Sequence, residues 1–277
     1  KRLHIDYEIV GISDWFVDAI ECYAAIHVPN KKIKVPDNKE ELLRYLNKFT
    51  FSTDSVRPCK INNWTIERLK SLYKANVLSK NYGSILDIQP EEMPDTDLLV
   101  YSFPCQDLST GGKGRGMKKG SGTRSGLLWE IERILKGLSK QNRLPEYLLL
   151  ENVKTIKADS NLKDLKEWLH FLESLGYKND DCMILNALDF GVPQDRERAF
   201  IVSHLHSSLN IPKKIVRKPR KYKFKDFFRN DYSNPILRQE ADIAQLNKTP
   251  SREQMWKING RELTEGTTVR TITCNMD

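Results

Sequence analysis

The run Asp97-Leu98-Leu99-Val100-Tyr101-Ser102-Phe103-Pro104-Cys105-Gln106-Asp107 constrains this chain more than any other stretch. Its apolar half reads as a short buried strand. Pro104 has a fixed φ and no N–H to offer a ladder, so it stops that strand at a turn. Cys105 is then presented at the strand's carboxyl end, the edge where open parallel α/β sheets place ligands and chemistry. Residues 109–122 are rich in glycine and lysine and cannot pack a core, so they read as a mobile, cationic loop beside the thiol.

Taken alone, a cysteine at a strand end is more often a small buried apolar residue than a nucleophile, and a basic loop is usually a solvated face. Two further stretches shift that balance. Leu148-Leu149-Leu150-Glu151-Asn152-Val153 is a second apolar strand delivering a carboxylate at its end. Pro193-Gln194-Asp195-Arg196-Glu197-Arg198 precedes a third apolar run, Ala199-Phe200-Ile201-Val202. A thiol, a carboxylate and a doubled arginine, each beside a predicted strand, form one constellation.

The 277 residues suffice for one large domain and a smaller one. No apolar run is long enough to span a bilayer and no signal peptide opens the sequence, so the expected setting is cytoplasmic. Five cysteines, odd in number and widely spaced, argue against a disulfide framework and against a zinc site. His204 and His206 read as a surface pair, and no metal is expected. The net charge of +8 suits a polyanion, and its placement says more than its size. Lys213, Lys214, Arg217, Lys218, Arg220, Lys221, Lys223 and Lys225 crowd one stretch, interleaved with Tyr222, Phe224, Phe227 and Phe228. Such density of basic and aromatic side chains favours a nucleic-acid surface over a merely solvated face.

In chain order, residues 7–13 are expected to form a strand leading to Asp14 and Trp15, and residues 16–26 a helix. An acidic residue at such a position either holds ribose hydroxyls or caps the helix. Residues 28–82 look like an insertion with helices near 40–47 and 66–74 and no evident chemistry. A strand is expected at 85–88, with Asp87 either functional or capping a turn. Amphipathic helices follow at 126–138 and 162–175, the second with Trp168, Leu169, Phe171 and Leu172 as a core stripe closed by Gly176. Residues 183–187 and 199–203 are expected to pair as strands.

Phe103-Pro104-Cys105-Gln106, Glu151-Asn152-Val153 and Gln194-Asp195-Arg196-Glu197-Arg198, in that order, resemble the signature blocks of DNA (cytosine-5)-methyltransferases. The longer strings Tyr101-Ser102-Phe103-Pro104-Cys105-Gln106-Asp107-Leu108-Ser109 and Arg124-Ser125-Gly126-Leu127-Leu128-Trp129-Glu130-Ile131-Glu132-Arg133 resemble bacterial restriction-modification enzymes, including mollicute CpG methylases. The resemblance runs from about Tyr7 to the end. It implies an α/β, Rossmann-like S-adenosylmethionine-dependent methyltransferase sheet with a smaller target-recognition domain. Residues 1–203 would be catalytic, 204–268 would recognise the target, and 269–277 would return to the catalytic side.

By the same resemblance, Cys105 is the nucleophile that adds to carbon 6 of a flipped-out cytosine. Glu151 is the acid at ring nitrogen 3, held protonated by burial. Arg198 donates to the cytosine carbonyl oxygen, and Arg196 braces Glu151 or the loop, with a purely structural ion pair as its alternative. Asp14, Trp15, Asp87, Ile88, Pro104 and Leu127 would contact S-adenosylmethionine. Gln106, Ser109, Lys113, Arg115 and Gln194 would contact DNA.

Two family blocks are not found. A Phe-x-Gly-x-Gly strand and turn should precede Tyr7, and a last block should follow Thr273, so the sequence reads as an internal fragment or one half of a split enzyme. The expected partner is double-stranded DNA, with no membrane. The chain is expected to be monomeric, or completed by a missing segment or a second chain. A cognate restriction endonuclease would be a companion in function and not a stable partner. A tRNA cytosine-5 methyltransferase and an inactive DNA-binding fragment are the alternative functions.

Overall fold

The computed structural model describes residues 6–104, 119, 124–206, 226, 233–243, 250, 253–254 and 269–270. They form a mixed α/β fold. In chain order the elements are α1 (Val17–His27), α2 (Lys39–Leu46), α3 (Ile66–Leu78), β1 (Leu98–Tyr101), α4 (Leu128–Lys140), β2 (Tyr147–Val153) and α5 (Asp159–Ser174). Then come β3 (Lys178–Asn179), β4 (Met183–Asn186), β5 (Gln194–Asp195), β6 (Glu197–His204), α6 (Pro235–Ile243) and β7 (Val269–Arg270).

The main sheet has the order β1-β2-β6-β3, with β4 also pairing β6. β1 and β2 run parallel, and β2 and β6 antiparallel, with Leu150 opposite Ile201 and Val153 opposite Arg198. The carboxyl ends of β1 and β2 and the amino end of β6 therefore share one edge. The expected pairing of 183–187 with 199–203 is present in part: residues 183–186 pair with 197–200, Ile184 standing opposite Ala199, while Ser203 stands opposite Asn179 of β3. β5 and β7 form a separate parallel pair, which sets residues 269–270 beside 194–195.

Strand alternation sends Leu148, Leu150 and Asn152 to one face of β2, where they are buried. That face packs with α4 and α5 in a core of Tyr101, Phe103, Leu128, Ile131, Leu135, Leu165, Trp168, Leu172, Ala199 and Ile201. The stripe predicted on α5 is core, as expected. The helix begins at Asp159, three residues before the predicted start, and Gly176 follows its end at φ 97°, a conformation a side chain would strain. A second core joins α1, α2 and α3 around Val17, Ile20, Leu42, Leu46, Phe51, Leu69 and Leu72. The insertion thus builds its own packed unit with α1. Asn38 and Thr65 start its helices by accepting from the N–H groups of Glu40 and Arg68.

Four expectations are corrected. Residues 7–13 are extended but make only one isolated bridge, Ile12 to Asn81, because no strand among the described residues pairs along their length. Residues 85–88 form a turn, their carbonyls being taken by a side chain from α4 instead of a ladder. β1 is buried on one face only, since Leu98 and Val100 are 48% and 58% exposed. His204 is buried at the end of β6, between Tyr147 of β2 and Lys178 of β3, so it is no surface residue. Among the described residues no helix is long and apolar enough to cross a membrane, and no His, Cys, Asp or Glu cluster could hold a metal.

The Trp168 Nε1–H donates to the Tyr101 hydroxyl at 3.0 Å, both side chains being buried, and burial drives the Tyr101 phenol well above its usual range. Replacing Tyr101 with Phe strands the indole N–H. Urea denaturation is expected to read a loss of about 1–3 kcal/mol.

Candidate active site

Three segments meet at the shared sheet edge: residues 102–104 after β1, Glu151 and Asn152 at the end of β2, and Arg198 near the start of β6. Adjacent residues on β2 point to opposite faces, and each side is used. Asn152, buried, donates from Nδ2 to the Phe103 carbonyl at 3.1 Å and accepts from the Val153 N–H through Oδ1. This holds the chain leading to Pro104 against β2 from the core side. Glu151 stands on the other face. Ser102 Oγ donates to its Oε2 at 2.9 Å, and Arg198 Nε lies 3.2 Å from its Oε1.

With side chains 28% and 17% exposed, Glu151 and Arg198 form a shielded but not sealed ion pair. The expectation from sequence was a carboxyl held protonated by burial; Glu151 is instead partly exposed, with one oxygen engaged by Ser102 and the other by Arg198. Arg198 also donates to the Glu197 carbonyl at 2.7 Å, which fixes its guanidinium along the strand. Arg196 does not meet Glu151. Its N–H donates to Asn186 Oδ1 and its carbonyl accepts from the Ala187 N–H, so the chain breaks away from the ladder between β5 and β6. Asn186 also donates to Asp195, and Lys154 pairs with Glu197 on the rim. Gln194 sits on β5 opposite Val269.

The predicted nucleophile, Cys105, follows Pro104 directly in the chain and lies outside the described residues, as do Gln106, Ser109, Lys113 and Arg115. Of the run 109–122, Lys119 is described. It donates to both carboxylate oxygens of Glu132 on α4 and lies 5.0 Å from the centre of the Trp129 ring. Lys136, one turn along α4, donates to the same carboxylate. Burial pushes the Glu132 carboxyl up, and the two lysines outweigh it, holding the group below the usual carboxylate range.

Apart from Pro104 at the sheet edge, the predicted cofactor residues fall into two groups. Asn81, buried, accepts from the Asp14 N–H and donates to its carbonyl, clamping the backbone from both sides. Asp14 Oδ1 accepts from the Phe16 N–H at 2.8 Å, a turn cap just ahead of α1. Trp15 is half-buried. In the second group, Asp87 accepts the Thr50 N–H at 2.8 Å and the Thr50 hydroxyl at 3.2 Å. Ile88 is buried against Ile134 and Leu138 of α4, and Leu127 immediately precedes that helix.

Residues 50–52 join the two groups. Ser52 donates its N–H to the Trp15 carbonyl, while Thr50 holds Asp87. Sequence reasoning gave this stretch no role. Its only signal is the alternation Thr50-Phe51-Ser52, a buried ring between two hydroxyls. Ser102, Asn81 and Arg133 were equally silent, each acting through polar contacts to residues distant in the sequence.

A family model described as C-5 cytosine-specific DNA methylase matches residues 41–275. The chain is 42% identical over 256 residues to the orphan methyltransferase M.SssI of Spiroplasma monobiae, covering 89% of this chain and 65% of that protein. It is 41% identical over 212 residues to the type II methyltransferase M2.ScrFI of Lactococcus lactis, covering 74% and 56% respectively. The chain thus spans between half and two thirds of the length of these relatives. The structure of the S. pombe Dnmt2 methyltransferase overlaps it with a TM-score of 0.43 at 15% identity, over 73% of this chain and 58% of that one. That likeness is too distant to carry a point of mechanism.

Burial raises the Asp14 carboxyl above its usual value of 3.8, against the pull of the Phe16 and Trp15 N–H groups. The folded state therefore binds this proton more tightly than the unfolded chain. The stability it gives is present below the unfolded value and falls away as pH rises through the raised folded one. Asp14→Asn keeps the acceptor for Phe16 and removes the buried charge. Its urea midpoint at neutral pH is expected to be no lower than that of the unsubstituted chain, with a flatter decline across the carboxylate range.

Proposed function

The chain belongs to the C-5 cytosine-specific DNA methylase family, and from that we propose that its protein transfers a methyl group from S-adenosylmethionine to carbon 5 of a flipped-out cytosine in a specific duplex DNA sequence. The observation that carries this reading is the Ser102–Glu151–Arg198 cluster, built at the same sheet edge as Pro104, the residue that precedes Cys105 in the sequence.

Carbon 5 of cytosine is a poor nucleophile. Addition of the Cys105 thiolate to carbon 6 breaks the ring's aromaticity and makes carbon 5 enamine-like. The electrons that leave the ring's double bond move toward nitrogen 3. Glu151, its orientation set by Ser102 and Arg198, takes up a proton from water as the base enters and gives it to that nitrogen as charge develops. Arg198 donates to the carbonyl oxygen at ring position 2, its guanidinium already oriented by its contacts to Glu151 and the Glu197 carbonyl. Methyl transfer leaves the donor as a neutral thioether; the carbon 5 proton then passes to water, its bonding pair re-forms the 5,6 double bond, and the carbon 6–sulfur bond breaks to release the thiolate. The base must leave the stack for any of this, at a cost of a few kcal/mol.

S-adenosylmethionine, when bound, supplies an electrophilic methyl on its sulfonium. The residues suit it. Asp14, its Oδ1 already fixed by the Phe16 N–H, would accept from ribose hydroxyls; Trp15 would lie against adenine. Asp87 and Ile88 would meet the adenine edge, with Pro104 and Leu127 along the wall. Residues 204–268, with their basic and aromatic density, would read the target, while Gln106, Ser109, Lys113, Arg115 and Gln194 meet the backbone or the vacated space.

Covalent trapping by duplex DNA carrying 5-fluorocytosine, in the full-length protein with S-adenosylmethionine, tests the reading. An adduct that disappears in Cys105→Ser is expected. Cys182→Ser should trap normally, because burial pushes that thiol up and away from the reactive thiolate. Glu151→Gln should lower kcat by about 10²–10⁴-fold, and Arg198→Ala by about 10²–10³-fold. An adduct that survives Cys105→Ser would remove the mechanism.

A further inference from the structure

We infer that Arg133 of α4 is a positioning residue for the cofactor: its guanidinium grips the turn that carries Asp87 and sets the depth of the adenine subsite. This rests on the cofactor reading above.

The grip uses all three nitrogens. Nη1 donates to the Ile88 carbonyl at 2.8 Å and Nη2 to the Ile85 carbonyl at 3.1 Å, spanning the turn on either side of Asp87. Nε donates to Glu130 Oε2 at 2.8 Å, three residues back on the same helix, which locks the plane of the fork. Within the turn, the Asp87 N–H donates to the Ser84 carbonyl at 2.9 Å. Its carboxylate is steadied from the opposite side by Thr50. Asp87 is thus held by Thr50 through its carboxylate and by Arg133 through the carbonyls that flank it.

A second, independent contact seats the same segment on the same helix. A Cβ placed on Gly137 would come within 2.4 Å of Pro90 Cγ, so α4 and the chain after the turn meet at backbone distance. Between these points Ile88 packs on Ile134 and Leu138. Glu130, Arg133, Ile134, Gly137 and Leu138 recur at helical spacing and form one face, which cradles residues 85–90. The neighbouring face, Leu128, Ile131 and Leu135, packs into the sheet core with Tyr101 and Phe103. Arg133 is where α4, anchored to the strand that leads to Cys105, takes hold of the cofactor side.

A lysine cannot substitute, because one ammonium cannot hold two carbonyls and a locking carboxylate in one plane. The test uses Arg133→Lys, Arg133→Met and the gentler Glu130→Gln in the full-length protein, with S-adenosylhomocysteine as the probe. Calorimetry is expected to read a dissociation constant raised about tenfold in both Arg133 variants, the scale seen for groups that orient a ligand's contacts, and by less in Glu130→Gln. The KM for the methyl donor should rise with kcat at saturation unchanged. Amide exchange at Asp87 should accelerate, with exchange in β2 unaltered.

Unchanged exchange at Asp87 overturns the grip. Faster exchange with unchanged probe affinity, or a fall in kcat at constant KM, overturns the positioning role. Failure of the unsubstituted protein to bind the probe overturns the cofactor reading and takes the positioning role with it. If the Arg133 variants do not fold, Glu130→Gln decides by the same readings.

Discussion

The alternation of Glu151 and Asn152 along β2 is the constraint on which the site depends. A strand puts successive side chains on opposite faces, so neighbouring residues can serve different ends at no conformational cost. Asn152 turns into the core and ties down the Phe103 carbonyl, a buried acceptor that would otherwise be stranded. Glu151 turns outward and gathers Ser102 and Arg198. The parallel partner brings the chain that leads to Pro104, and the antiparallel one brings the arginine. A one-residue slip of β2 would drive the carboxylate into an aliphatic core and cast the amide into solvent, so register and chemistry stand or fall together.

α4 performs the corresponding task at larger scale. One face closes the sheet core, another cradles the turn around Asp87, and Glu132 gathers Lys119 from the glycine-rich run. Three regions that the sequence separates are fastened to one rigid rod. A carboxylate as buried as that of Glu132 would be costly alone; two lysines, one of them an (i, i+4) neighbour on the helix, compensate it.

Much of this was legible because periodicity reports burial. The α5 stripe at Trp168, Leu169, Phe171 and Leu172, the strand at 148–153 and the pairing between the runs that begin at 183 and 199, though not its register, follow from apolar spacing. Residues 7–13 and 85–88 misled for one reason: an apolar run becomes a strand only when a partner offers a ladder. Ile12 finds a single bridge, and the carbonyls at 85 and 88 are claimed by Arg133. His204 was misjudged because its shielding comes from strands on both sides, invisible in its own neighbourhood. The carboxylate and the arginine of the site were named from sequence. That Arg198 and not Arg196 meets Glu151 was not, because it depends on Asn186 drawing residue 196 off the ladder.

The bare contact between Gly137 and Pro90 has a mechanical consequence. Most helix packing passes through side chains, whose rotamers absorb small shifts as a cushion would. Here main chain rests on a proline ring with nothing compressible between them. The joint has no slack, so a displacement of the helix of even a fraction of an ångström is handed whole to the segment beyond it.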